Sequence, residues 1–134
     1  MPTFIFNKLI RDKLKDLYIE LDQQAEYKQL TSEELTEALK QKLIEEVKEL
    51  LASHSRDDIV SELADIQQVI QDLMAHEKVS GDEVEAKRVD KFDKKGGFAD
   101  GHYVSTLRLK KDDEWVDYYR KSPDIFKEID DDES

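Results

Sequence analysis

Glu45-Glu46-Val47-Lys48-Glu49 and, after a spacer of twelve residues, Glu62-Leu63-Ala64-Asp65 are the two runs on which the fold of this chain turns. Both lie in strongly helical sequence with apolar neighbours, so one helix pair can gather four or five carboxylates at one point. Like charges crowded together under low solvation repel each other and lose hydration, which makes such a cluster costly unless a cation neutralises it. The expectation from these runs is a magnesium site.

The helices that carry the runs can be drawn from local signals. Thr31 followed by Glu34 forms a capping box, in which hydroxyl and carboxylate each satisfy an orphan backbone donor, and a helix is expected from there to about Ser53. Leu35, Leu39, Leu43 and Leu50 form the centre of its buried stripe. On the same wheel Glu46 falls inside the stripe, Glu49 and Lys42 at its edge, and Glu45 further out. A solvated acidic face accounts for Glu33, Glu34 and Glu37, but not for Glu46. Ser53-His54-Ser55 breaks the pattern, Ser55 with Asp58 caps again, and the next helix is expected to reach about His76. So short a break predicts an antiparallel hairpin. The apolar arc of the second helix is Ile59, Leu63, Ile66, Ile70, Leu73 and Met74; Glu62 falls inside it, with Asp65 and Asp58 at its margin.

The same anomaly therefore occurs on two consecutive helices. The i, i+3 spacings of Glu46 with Glu49 and of Glu62 with Asp65 each place two carboxylates on one face, about a turn apart. Four oxygen donors facing each other suit a hard cation, Mg²⁺ or Mn²⁺. The competing account is that Lys42 or Arg88 satisfies these acids in a bundle interior, for packing specificity alone. A di-iron bundle would need Glu-x-x-His pairs, and His54, His76 and His102 do not stand three residues after a glutamate. They read as loop or helix-end residues.

Working outward, Asn7 is placed to cap a helix over about residues 8 to 23, with Ile10, Leu14, Leu17, Tyr18 and Leu21 at helical spacing and Lys8, Arg11 and Lys13 near its start. Ser80 with Glu83 caps a fourth main helix running to Lys94-Lys95-Gly96-Gly97-Phe98, where the glycines suit a left-handed C-cap with Phe98 folding back onto the last turn. Lys87, Arg88, Lys91, Lys94 and Lys95 make this the densest basic stretch, partly because cations at a helix C-terminus favour the dipole. Beyond a carboxylate-held metal, such groups would grip phosphate oxygens.

Composition bounds the partners. A chain of 134 residues fits one domain, and 40% charged residues with a net charge of −12 oppose nucleic acid and anionic membrane as direct partners. A phosphate substrate has to arrive with cations. The absence of cysteine excludes disulfides and thiolate metal sites. No apolar run approaches the ~18 residues of a membrane span, and the N-terminus lacks the regions of a signal peptide, so a soluble cytoplasmic protein is expected.

The paired acidic runs, flanked by Asn7-Lys8-Leu9-Ile10-Arg11-Asp12-Lys13 and Lys94-Lys95-Gly96-Gly97-Phe98, resemble the MazG-like all-α nucleotide pyrophosphohydrolases, a superfamily that includes phosphoribosyl-ATP pyrophosphohydrolases and dimeric dUTPases. The resemblance covers roughly residues 7 to 98. It implies Mg²⁺-dependent cleavage of a nucleoside triphosphate between the α- and β-phosphates, with Glu46, Glu49, Glu62 and Asp65 matching the metal ligands and Glu45 the extra acidic position. Many members lack the Asn-Lys-Leu-Ile-Arg-Asp-Lys form, which leaves the nucleotide open. Phosphoryl chemistry fits these residues: a carboxylate not fully occupied by metal, Glu45 or Glu46, would accept the proton of the attacking water. Arg11, Lys13, Arg88, Lys91 and Lys95 are the candidates for triphosphate contacts, since no Walker-type glycine loop is present.

Past Phe98 the resemblance thins. Tyr103 to Leu109 alternates as one strand would, Asp112 to Arg120 reads as a short helix bearing Trp115, Val116, Tyr118 and Tyr119, and residues 130 to 134 read as a disordered acidic end. The expectation is a single all-α domain: a bundle of four main helices over 7–98, an extension over 99–129 that docks its aromatics on the bundle or on a partner chain, and the acidic tail. A homodimer or homotetramer follows from the hairpin's shortage of apolar residues on its second face and from the resemblance. The functional alternatives are a phosphoribosyl-ATP pyrophosphohydrolase and a non-enzymatic acidic helical module that binds a basic protein.

Overall fold

Thr31 caps the first of two helices of 21 residues in the computed structural model, which describes residues 1–129. Its hydroxyl accepts from the Glu34 amide at 3.2 Å while the Glu34 carboxylate accepts from the Thr31 amide at 3.1 Å. The Glu34 carboxyl is held down to about 2, by the Lys28 ammonium first and by the Thr31 amide second. In chain order the helices are α1 (Leu14–Glu20), α2 (Ser32–Ala52), α3 (Arg56–His76), α4 (Gly81–Lys95) and α5 (Trp115–Arg120). The described residues contain no strand, so the protein is all-α there, and none of its helices is long and apolar enough to cross a membrane. The acidic tail, 130–134, lies outside the described residues.

Among the described residues the hairpin of α2 and α3 is the one extensive helix pairing. Ser55 begins α3 by accepting from the Asp58 amide at 3.1 Å, which stops one helix and starts the next within three residues. At the open end, His76 Nε2 donates to the Ser32 carbonyl at 2.8 Å and Thr36 donates to Glu77 at 2.6 Å, tying the start of α2 to the end of α3. Among the described residues Leu39 and Val69 are the buried apolar side chains, and between the same helices lies one buried charged residue, Glu46.

Three local expectations are corrected. The first helix begins at Leu14 rather than near residue 8, because Asn7 adopts a left-handed conformation (φ 47°) and residues 8–13 run irregularly. Tyr103 to Leu109 is irregular; alternation alone makes no strand without a neighbouring strand to receive its backbone hydrogen bonds. Gly96 does take the left-handed C-cap conformation (φ 78°), but Phe98 is 98% exposed and does not fold back.

The chain divides at that glycine into two compact units, Met1–Lys95 and a second beginning at Gly96. In the second, Trp115, Tyr118, Tyr119 and Phe126 form one aromatic cluster, edge-on for Tyr119 and Phe126 with centroids 4.8 Å apart and for Trp115 and Tyr118 at 5.2 Å. Arg120 donates through Nε to Glu128 at 2.6 Å beside them. In the first unit, every residue of α4 is exposed, including Val84, Val89 and Phe92.

Candidate metal centre

Glu46 and Glu62 stand equally far before and after His54, the middle of the α2–α3 turn. In an antiparallel hairpin, residues equidistant from the turn lie level with one another, so the two charges that each helix carries within its apolar arc meet across the interface. Glu49 and Asp65 follow one turn along on their own helices. One carboxylate oxygen from each of Glu46, Glu49, Glu62 and Asp65 can be chosen so that all four lie within 4.8 Å of one another.

The electrostatics of this arrangement are unbalanced. Glu46 is only 7% exposed, Glu62 and Asp65 are half-buried, and Glu49 is exposed. Oε2 of Glu46 and Oε2 of Glu62 are shielded from solvent and have no hydrogen-bond partner. Burial, then the neighbouring Glu49 and Asp65, push the Glu46 carboxyl up to about 7, with Lys42 opposing. Burial and then Glu49 push the Glu62 carboxyl upward as well. A group that needs a proton near neutrality to be comfortable is one that a cation can satisfy instead.

The Lys42 ammonium does lie near, 3.6 Å from Glu46 Oε1 and 3.3 Å from Glu45 Oε1. It partly supplies the packing account raised by the sequence, yet a single ammonium at that distance leaves both Oε2 atoms unsatisfied. Four carboxylate oxygens form a hard donor set. Opposite oxygens around Mg²⁺ stand about 4.2 Å apart and around Ca²⁺ about 4.6–5.2 Å, from bond lengths of about 2.1 and 2.3–2.6 Å. The spacing of the four oxygens is thus one at which a metal ion could be held.

Glu45 lies outside the four. Burial would raise its pKa, but hydrogen bonds from Lys8 (3.1 Å) and Lys42 (3.3 Å) outweigh that and hold it below the usual carboxylate range. Of the five basic candidates, Arg11 reaches the cluster, Nη2 lying 2.6 Å from Asp65 Oδ1. Lys13 precedes α1 and, like Lys91 and Lys95 on α4, forms no ion pair among the described residues. Arg88 is engaged with Glu85 on its own helix. The residue that a phosphate-contact reading of the sequence passes over is Lys8. Its partner is 37 positions away, and the clue was its place in the same short basic segment as Arg11.

No family model, curated protein or solved structure matches this chain.

Proposed function

We propose that the chain is a Mg²⁺-dependent nucleoside triphosphate pyrophosphohydrolase, converting NTP or dNTP to the monophosphate and pyrophosphate in nucleotide-pool house-cleaning. The observation that carries this reading is the pair of solvent-shielded, unpartnered oxygens of Glu46 and Glu62 inside a four-carboxylate cluster. Glu46, Glu49, Glu62 and Asp65 would hold the metal. Bound there, Mg²⁺ supplies charge neutralisation at the phosphates, orientation of the attacking water and stabilisation of the pyrophosphate leaving group. A carboxylate not fully occupied by metal, Glu45 or Glu46, would accept the proton of the attacking water; Glu45, outside the ligand set, is held ionised by Lys8 and Lys42.

The assay is pyrophosphate release by purified protein with Mg²⁺ across standard, oxidised and methylated nucleoside triphosphates, dUTP, dCTP and phosphoribosyl-ATP. At least one substrate is expected to give release well above that of Glu46→Gln. Release no greater than the variant's from every nucleotide would sink the enzyme reading and favour a non-enzymatic acidic module.

The same proposal includes a homodimer or dimer of dimers in which helices of a second copy complete the four-helix bundle. Ile44, Val47, Leu51, Val60, Leu63 and Ile70 on the hairpin are all exposed. Sedimentation equilibrium should accordingly give a mass of two or four times 15.7 kDa, and a concentration-independent monomer would remove the oligomer.

A further inference from the structure

We propose that residues 7–13 form a cationic arm that exchanges carboxylates for phosphates: Lys8 and Arg11 rest on Glu45 and Asp65, leave them when a divalent cation occupies the cluster, and then bind the nucleotide's phosphate chain. This rests on the metal-centre and hydrolase readings above.

The arm is held in a way that permits exchange. It lies between the left-handed turn at Asn7 and the start of α1, outside any helix, with Leu9 and Ile10 half-buried and the rest exposed. Its long-range polar attachments are the two ion pairs, Arg11 to Asp65 at 2.6 Å and Lys8 to Glu45 at 3.1 Å, whose basic side chains are 58% and 46% exposed. Exposed pairs of this kind contribute about 0–1 kcal/mol each, so neither locks the arm down.

Their chemistry fixes the direction. Arg11 neutralises Asp65, one of the four clustered carboxylates, two of which, the buried Glu46 and the half-buried Glu62, carry unpartnered oxygens, so it competes with any cation for the same negative charge. Binding coupling is reciprocal: whatever the arm costs the metal, the metal costs the arm. A guanidinium and an ammonium released at the mouth of the site match phosphate oxygens, Arg in bidentate fashion and Lys as a point charge. Loss of the arm's charges therefore has opposite signs on the two ligands. It tightens metal binding when no nucleotide is present, and it weakens nucleotide binding when metal is present. An Arg11 that merely oriented Asp65 for the metal would weaken metal binding when removed.

The test uses full-length wild type, Arg11→Gln, Lys8→Ala/Arg11→Ala, and Lys15→Ala as a charge control, because Lys15 sits over the Tyr27 ring instead of on the cluster. Mn²⁺ is titrated by electron paramagnetic resonance without nucleotide, and a non-hydrolysable α,β-methylene triphosphate is titrated with Mn²⁺ present. The double variant is expected to bind Mn²⁺ roughly five- to tenfold more tightly and the analogue roughly tenfold more weakly, with Lys15→Ala close to wild type. Amide hydrogen exchange of residues 7–13 in the wild type should quicken on adding Mn²⁺. Unchanged or weaker Mn²⁺ binding by the double variant overturns the arm and leaves the hydrolase reading standing, as does tighter Mn²⁺ binding with undiminished analogue binding. Absence of Mn²⁺ binding by every variant removes the metal centre itself, and the arm with it. Circular dichroism of Arg11→Gln, which keeps hydrogen-bonding capacity and loses the charge, separates a charge effect from misfolding.

Discussion

Replacing Glu46 with glutamine is expected to make the protein more stable while disabling it. The Glu46 carboxyl sits at about 7 in the folded chain against an ordinary 4.5, with burial as the leading cause. Between those values the folded protein keeps a proton that the unfolded chain has given up. The stability associated with this group is therefore intact below about pH 4.5, falls as pH rises, and is fully lost above about pH 7. A shift of this size corresponds to about 3 kcal/mol at most, and Glu62 is displaced in the same direction. An amide at position 46 carries no charge to desolvate, and its NH₂ can donate to the neighbouring Glu49 or Glu62. It also gives up the attraction of Lys42, which trims the gain. Thermal unfolding in EDTA at pH 8 should show Glu46→Gln about 1–3 kcal/mol more stable, an increase of roughly 3–10 °C, and the difference should shrink toward zero at pH 5. A variant less stable than wild type at pH 8, or a difference that does not change with pH, would mean that the buried charge is already satisfied within the chain.

Divalent metal should produce the second large effect, because it relieves the same strain from the other side. Ten millimolar Mg²⁺ at pH 8 is expected to raise the melting temperature of the wild type and to bring it level with or above Glu46→Gln, with EDTA reversing the shift. Stabilisation of about 2.7 kcal/mol accompanies a ligand at a hundred times its dissociation constant. Glu49→Gln, Glu62→Gln and Asp65→Asn should each abolish most of the Mg²⁺-dependent shift. Each should also lower pyrophosphate release by roughly a hundredfold or more, about 3 kcal/mol of barrier. Glu45→Gln separates the roles: it leaves all four metal-facing carboxylates in place, so its thermal response to Mg²⁺ should persist while its turnover falls. A Mg²⁺ shift that survives in all three ligand variants would place the cation elsewhere on this acidic surface.

The sequence by itself determined what short-range physics controls. Capping depends on residues three apart, so Thr31 with Glu34, Ser55 with Asp58 and Ser80 with Glu83 mark the starts of α2, α3 and α4 within a residue of where they occur. The depth of a charge within an amphipathic stripe depends on helical periodicity alone, which is why Glu46 could be singled out as the misplaced carboxylate and is found buried. Tertiary structure decided whatever depends on residues far apart in the chain. The level meeting of Glu46 with Glu62 requires the hairpin to close in one register. Segment 8–13 stays out of α1 while its Lys8 and Arg11 pair with residues 37 and 54 positions away, and no local pattern encodes those pairs. The irregular path of 103–109 belongs to the same class, since a strand exists only where another strand receives its hydrogen bonds. The carboxyl at about 7 does too, because dehydration and the proximity of Glu49 and Asp65 arise only once two helices have excluded water between them.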